Sequence, residues 1–329
     1  MEKTTLGHSG IEASRIGLGT WAIGGWKWGG TDEQESIRTI LHALNQGITL
    51  IDTAPAYGAG RSEEIVGKAL AEYGQRDKVI VATKVGLELL SGGGVQRNGT
   101  RAEIFKQIDD SLRRLGTDYV DLYQVHWPDP LVPVEETAEA MYHLVQSGKV
   151  RAIGVSNFTP DQMRQWMTAA PLHTDQPPYN LFERDIEHDV LPFCRENGIG
   201  TLMYGSLCRG LLTGKVDEMR KFEGDDLRKT DPKFQHPRFE QYLSAVRQLA
   251  EIAQSYGKTL TEFAVRWVLD QPGASVALWG ARHPEQLAPV GGVEGWNISS
   301  EDMTRVNEIL RTTITNPVGP EFMAPPSRT

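Results

Sequence analysis

The sequence predicts a closed (β/α)8 barrel of the TIM type, and two observations carry that prediction. Short apolar runs alternate with longer amphipathic stretches, and strands alternating with helices build parallel sheets. About eight such units follow one another with no break in composition, which favours a closed barrel over an open sheet. The 329 residues suit one barrel domain spanning 1–329.

The strand runs, in order, are "RIGLGT", "ITLIDT", "KVIVATK", "YVDLYQVH", "RAIGVSN", "LHTDQ", "GTLMYGS" and "SVALWG". Helical periodicity covers 32–46, 61–73, 101–115, 134–147, 159–169, 186–197 and 239–270, the last broken near Gly257. Ahead of the first unit, "TTLGHSGIEAS" reads as a hairpin that plugs the N-terminal end of the barrel. Three segments depart from the alternation: a glycine-rich loop at 87–99, a charged loop at 209–238, and a proline-rich tail from Thr313. Loops this long in a compact fold belong to lids and mobile segments, and here they gather at the C-terminal mouth.

Composition narrows the function. A formal net charge of −9 argues against a nucleic-acid partner. There is no run of about 18 apolar residues to span a membrane. The start "MEKTTLGHSG" lacks the apolar core of a signal peptide. With two cysteines, Cys194 and Cys208, and no CxxC, the expected location is the cytoplasm. No His, Cys or carboxylate spacing suits a metal.

Gly17-Leu18-Gly19 with Ala22 outlines the glycine turn of a dinucleotide-binding fold. That turn opens directly into a helix, whereas here Gly19 runs into Trp21, Gly24, Gly25, Trp26, Trp28, Gly29 and Gly30, where no helix starts. The glycine match alone therefore carries no cofactor assignment.

The polar residues at the strand ends are more informative. Asp52 ends one run, with Tyr57 five residues on; Lys84, His126, Ser156-Asn157, Gln176 and Tyr204-Ser206 end others. In a parallel barrel these ends converge on one mouth, where active sites lie. A lysine beside a tyrosine stabilises the phenolate, so Lys84 is expected to lower the Tyr57 pKa, with Asp52 holding Lys84 charged. His126 is expected to donate a hydrogen bond to a carbonyl oxygen. Singly, each has a plainer reading: Asp52 as a turn residue, Lys84 as a solvated charge, His126 as a satisfied core histidine, Tyr57 as packing. Their joint occurrence at the ends of successive units favours the catalytic one.

The stretches "IDTAPAYGAGRSEEIVGKAL", "ATKVG", "SLRRLGTDYVDLYQVHWPDP", "GKVRAIGVSNF" and "YGSLCRGLLTGK" resemble the aldo-keto reductase family over nearly the whole chain. The resemblance is greatest to its bacterial general-stress branch, kin of the potassium-channel β subunits. It implies an NADPH-dependent oxidoreductase that reduces aldehydes and some ketones to alcohols, with a tetrad of Asp52, Tyr57 (general acid), Lys84 and His126. It implies NADPH bound at the barrel mouth without a Rossmann fold. Ser156, Asn157 and Gln176 then hold the carboxamide, Tyr204 stacks on the ring, and Gly19, Thr20 and Trp21 lie beside the nicotinamide. Gly205, Ser206, Leu207, Arg209, Gly210 and Lys215 match the pyrophosphate site. Gly280, Arg282 and Gln286 match the 2′-phosphate site. Where many members then carry an acidic residue and often an Asn for the adenine, this chain has Ala288-Pro289-Val290.

Trp21, Trp26, Trp28 and Trp127, with Tyr57 and His126, are expected to wall the substrate pocket. Loop 209–238 is expected to close over the cofactor as a belt. The expected assembly is a monomer or weak oligomer acting on a small carbonyl compound. Two rival readings remain: a Schiff-base aldolase using Lys84, and a non-enzymatic NADPH-binding regulatory subunit.

Overall fold

The structure, a computed structural model, describes residues 1–328. An antiparallel hairpin, β1 (Lys3–Thr5) and β2 (Glu12–Ser14), precedes the barrel. The barrel strands are β3 (Ile16–Gly19), β4 (Leu50–Asp52), β5 (Ile80–Val85), β8 (Val120–Val125), β9 (Val150–Ser156), β10 (Thr174–Gln176), β11 (Gly200–Met203) and β12 (Val276–Gly280). They pair in parallel in that order, and β12 returns to β3 to close the barrel. Each apolar run read from the sequence supplies one of them.

Around the strands lie α1 (Glu33–Asn45), α2 (Arg61–Tyr73), α3 (Arg101–Leu115), α4 (Val134–Gln146), α5 (Pro160–Met167) and α6 (Val190–Glu196). They are followed by α7 (Arg238–Ser255), α8 (Leu260–Leu269) and α9 (Ser300–Thr313). Local chemistry sets their ends. The Asp32 side chain accepts from Glu35 N at the start of α1, and Thr159 and Thr259 form capping boxes with Gln162 and Glu262. Such caps contribute about 1 kcal/mol each. Gly257, at φ 66°, separates α7 from α8.

Strand alternation sorts the core in two. Outward residues such as Leu18, Ile51, Val81, Tyr123 and Ile153 pack against the helices. Inward residues Leu50, Ile80, Ala82, Leu122, Ala152, Leu202, Val276 and Leu278 fill the barrel with Leu6, Ile11 and Ala13 of the hairpin. The hairpin therefore closes the N-terminal end, as expected. Strand register raises the inward positions one residue per strand around the barrel. Asp52, Gln124, Gln176 and Leu278 then share one layer, and Gly19, Lys84, Ser156 and Tyr204 form the layer above. The interior turns from apolar to polar towards the C-terminal mouth.

Three elements differ from the sequence reading. Residues 87–99 are not simply a loop: β6 (Leu87–Leu89) and β7 (Val95–Arg97) pair as a hairpin. Helix α9 went unrecognised because it buries only Val306 and so shows little apolar periodicity. Loop 209–238 is not uniformly loose. Asp231, Lys233 and Phe234 are buried, and Asp225 accepts from Lys27 N (2.7 Å) and Gly29 N (3.2 Å). The tail is tied down as well: Arg97 N donates to Pro326 O, and Arg328 donates to Asn98 Oδ1 and Asp129 Oδ2.

Candidate active site

Polar strand ends surround a cavity of about 870 Å³ at the C-terminal mouth, within the usual range for small-molecule sites. Tyr57 sits after β4 on a turn that crosses closely behind the loop following β3. A Cβ on Gly24 would lie 2.6 Å from Tyr57 O, and one on Gly58 (φ 70°) 2.2 Å from Gly24 O. These two glycines let the loops seat the tyrosine, a requirement the sequence reading missed. Adjacent glycine positions in two strand-following loops were the available signal.

Beneath Tyr57, Lys84 Nζ lies 2.6 Å from Asp52 Oδ2, and it donates to Thr53 O (3.1 Å) and Tyr57 Oη (3.2 Å). Gln176 Nε2 donates to Asp52 Oδ1 at 2.8 Å, fixing the carboxylate from the opposite side. The tyrosine hydroxyl thus accepts from Lys84 and keeps its own proton to donate into the cavity. Trp21 stacks on Tyr57 at 6.0 Å between centroids, and His126 meets it edge-on at 5.8 Å.

Burial pushes the Tyr57 phenol well above its usual pKa, and the nearby Asp52 charge adds to the shift. This reverses the expectation that Lys84 lowers it: Asp52 neutralises the ammonium, and the phenol lies among aromatic rings. Burial also pulls Lys84 down against the opposing pull of Asp52. Burial, helped by the Lys84 charge, holds His126 well below its usual value. At neutral pH the site therefore presents a protonated phenol beside a neutral imidazole.

Lys84 is wholly buried and reaches the cavity only through Tyr57. An aldolase nucleophile needs access to substrate, so the Schiff-base reading loses its reacting group. Thr20 is also wholly buried, with its hydroxyl donated to Asp52 O at 2.8 Å; it braces the site from behind rather than lining it. Gly19, Trp21, Trp26, Trp28, Trp127, Ser156, Asn157, Gln176 and Tyr204 all line the cavity.

Asn157 takes a left-handed φ of 61°, held by Tyr204 Oη donating to its Oδ1 (2.9 Å) and by its Nδ2 donating to His126 O (3.0 Å). Ser156 Oγ donates to Gln176 O at 2.7 Å. This network fixes the Tyr204 ring, and among the described residues no donor reaches Oε1 of Gln176, whose amide nitrogen is engaged by Asp52.

The family model described as "Aldo/keto reductase family" matches residues 15–311. The chain belongs to the aldo/keto reductase family. It is 63% identical to the aldo-keto reductase YhdN of Bacillus subtilis, over 100% of this chain and 99% of that protein. It is 36% identical to the NADH-specific methylglyoxal reductase of Escherichia coli, over 94% of this chain and 98% of that one. Among solved structures, the glycerol dehydrogenase AKR11B4 of Gluconobacter oxydans superposes with a TM-score of 0.89 at 50% identity, covering 98% and 99% of the two chains. The fold and the bacterial branch read from the sequence are those of these relatives.

Aldo/keto reductases use nicotinamide cofactors, and the residues here fit one. The orphan acceptor Gln176 Oε1 suits a carboxamide N–H at the barrel centre. At the far end, Lys215 and Arg282 line the cavity with no carboxylate within ion-pair distance among the described residues, a donor set for phosphate. Gly205, Ser206, Leu207, Gly210, Gly280 and Gln286 line the stretch between. Gln286 Oε1 is occupied by Arg282 N at 2.7 Å.

Arg209 also lines the cavity, and its charge is paired inside the protein. Its guanidinium donates to Glu183, its Nε lies 2.7 Å from Asp231 Oδ2, and the side chain is 3% exposed. Lys233 Nζ joins the cluster 2.8 Å from Glu183. Both Arg209 charge partners are internal, so the buried cluster holds its guanidinium where the residue lines the cavity. The sequence reading also missed the tail: Phe322, Met323, Ala324, Pro325 and Pro326 roof the substrate end. Its proline content excluded helix but gave no direction.

No helix among the described residues is long and apolar enough to cross a membrane. No group of His, Cys, Asp and Glu among them could hold a metal ion.

Proposed function

We propose that this aldo/keto reductase is a cytoplasmic, NADPH-dependent enzyme that reduces aldehydes and some ketones to alcohols, with Tyr57 as general acid. The observation that carries the reading is Lys84 donating to Tyr57 Oη at 3.2 Å while Tyr57 faces the cavity beside neutral His126.

The carbonyl oxygen sits between Tyr57 and His126. His126, neutral, donates a hydrogen bond that orients the oxygen without transferring a proton. When bound, reduced nicotinamide supplies a hydride to the carbonyl carbon. Tyr57 gives its proton to the oxygen as negative charge develops there. Lys84 stabilises the resulting phenolate, and Asp52 keeps Lys84 charged and aimed. In the oxidative direction the same phenolate accepts the alcohol proton. Trp21, Trp26, Trp28 and Trp127 wall the substrate from water, which strengthens each of these interactions.

Lys215, Arg220 and Arg282, cations on the cavity wall with no carboxylate partner among the described residues, favour NADPH over NADH. The test is turnover of 4-nitrobenzaldehyde followed by nicotinamide absorbance, with NADPH and NADH in parallel. Oxidation of NADPH that requires the aldehyde supports the reading. Binding of NADPH without turnover of any carbonyl would favour the regulatory-subunit reading instead.

A further inference from the structure

We propose that Ser62, in the first turn of α2, is a positioning residue for the reaction: through a chain of three buried hydroxyls it fixes the two oxygens that aim Lys84 at Tyr57. The proposal rests on the proton-donor reading of Tyr57 above and extends it to a residue outside the cavity wall.

Thr53 Oγ1 lies 2.9 Å from Ser62 Oγ, Ser62 Oγ lies 2.7 Å from Thr20 Oγ1, and Thr20 Oγ1 lies 2.8 Å from Asp52 O. Thr20, Thr53 and Ser62 are wholly buried, and none of the three lines the cavity. A carbonyl oxygen can only accept and each hydroxyl carries one proton, so the direction of the chain is fixed from its far end. Thr20 donates to Asp52 O, Ser62 donates to Thr20, and Thr53 donates to Ser62. Hydrogen bonds aligned head to tail in this way polarise and strengthen one another.

The two ends of the chain are neighbours in sequence. Asp52 and Thr53 share a peptide bond, so the hydroxyls close a ring around it. The same two residues supply the oxygens that receive Lys84 Nζ, Asp52 Oδ2 at 2.6 Å and Thr53 O at 3.1 Å. Ser62 also reaches the other partner of Lys84, its backbone N donating to Tyr57 O at 3.2 Å. One residue therefore holds both the seat of Lys84 and the turn that carries Tyr57, the two sides of the 3.2 Å contact on which phenolate stabilisation depends. The next residue of α2 repeats the pattern. Glu63 accepts from Thr83 Oγ1 at 2.6 Å, beside Lys84 on β5, and is paired with Arg114. The first turn of α2 is thus tied to the ends of β3, β4 and β5. Catalytic groups need to be held within about 0.5 Å of their productive geometry, and removing the Ser62 hydroxyl breaks the ring that sets it.

The test is single-turnover reduction of 4-nitrobenzaldehyde, with NADPH affinity, the KM for the aldehyde and thermal unfolding measured on the same samples. Ser62→Ala should lower the single-turnover rate roughly tenfold, the scale of a misplaced catalytic group, and leave NADPH affinity and KM unchanged. Thr20→Val removes a hydroxyl of the chain at nearly constant shape and should lose as much, whereas Thr20→Ser keeps the hydroxyl and should keep the rate. The S62A/T20V double variant should lose no more than either single one, because the chain acts as a unit. Where Ser62→Ala does not fold, Thr20→Val against Thr20→Ser decides alone. A wild-type rate in Ser62→Ala or Thr20→Val, whatever the stability, overturns the proposal. So does an equal loss in Thr20→Val and Thr20→Ser, or a loss that appears in KM instead of the rate. Tyr57→Phe run alongside separates the two readings. A wild-type rate in that variant overturns the proton-donor reading, whereas a loss in that variant alone overturns only the role of Ser62.

Discussion

Lys84 Nζ stands between Asp52 (2.6 Å) and the Tyr57 hydroxyl (3.2 Å), donating to both while wholly buried. One ammonium therefore serves two tasks, counter-ion to a buried carboxylate and donor to the Tyr57 phenol. Lys84→Met should cost both: turnover falls by roughly 10²-fold or more, and stability falls by about 3 kcal/mol because Asp52 is left buried without its partner. Denaturant unfolding run beside the turnover assay checks the pair. Lost turnover with wild-type stability would mean that Asp52 does not depend on Lys84.

The direction of the Tyr57 shift sets a pH profile. A phenol raised above its usual value keeps its proton to higher pH, so the reductive rate has no alkaline loss from Tyr57 below about pH 10. His126, depressed by burial, is already neutral above its ordinary range and adds no step near neutrality. Single-turnover rates measured from about pH 6 to about pH 8 should be flat, the alkaline limb above that belonging to Lys84, whose pKa burial lowers. A fall with an apparent pKa in the neutral range would place an ionising group there that these geometries do not supply.

Glu183 anchors the buried cluster of Arg209, Lys233 and Asp231. Burial alone would raise its carboxyl, but Arg209 and Lys233 overcome that and hold it at about 2. A depressed native value makes its stabilisation complete above the ordinary 4.5 and progressively lost as pH falls from there towards 2. Glu183→Gln should destabilise by about 3 kcal/mol at neutral pH, because two buried cations lose a carboxylate. The difference between variant and wild type should shrink as the pH is lowered through that window. A difference that stays constant down the acid limb would assign the loss to packing.

Much of this was legible in the sequence because parallel barrels write their chemistry at strand ends. Asp52, Lys84, His126, Ser156 and Gln176 each close an apolar run, so finding the runs located the site. What stayed hidden depends on contacts distant in sequence. Nothing in the sequence near Arg209 announces that Glu183 and Asp231 pair with its guanidinium. Thr20 stands between two lining residues yet turns its hydroxyl to Asp52 O. Tyr57's pKa was misjudged because the neighbouring ammonium could be read and its neutralisation could not. Helix α9, with Val306 its one buried residue, had only the Ser299 cap and the acidic first turn to announce it.

The 209–238 loop now divides in two. Lys215, Arg220 and Lys221 are exposed, whereas Lys233 is fully buried against Glu183 and donates to Gly319 O. Limited trypsin digestion should cut at the first three and spare Lys233, and NADPH should slow the cuts by ordering the exposed half. Cleavage at Lys233 as fast as at Lys215 would mean that the buried cluster opens with the loop.

Replacing Tyr57 by phenylalanine tests the proposed chemistry most directly, because it removes one hydroxyl and keeps the ring against Trp21. NADPH affinity, measured by quenching of tryptophan fluorescence, should be nearly unchanged. The kcat for 4-nitrobenzaldehyde reduction should fall roughly 10²–10⁴-fold. Wild-type kcat in a variant that binds NADPH normally would contradict Tyr57 as the proton donor.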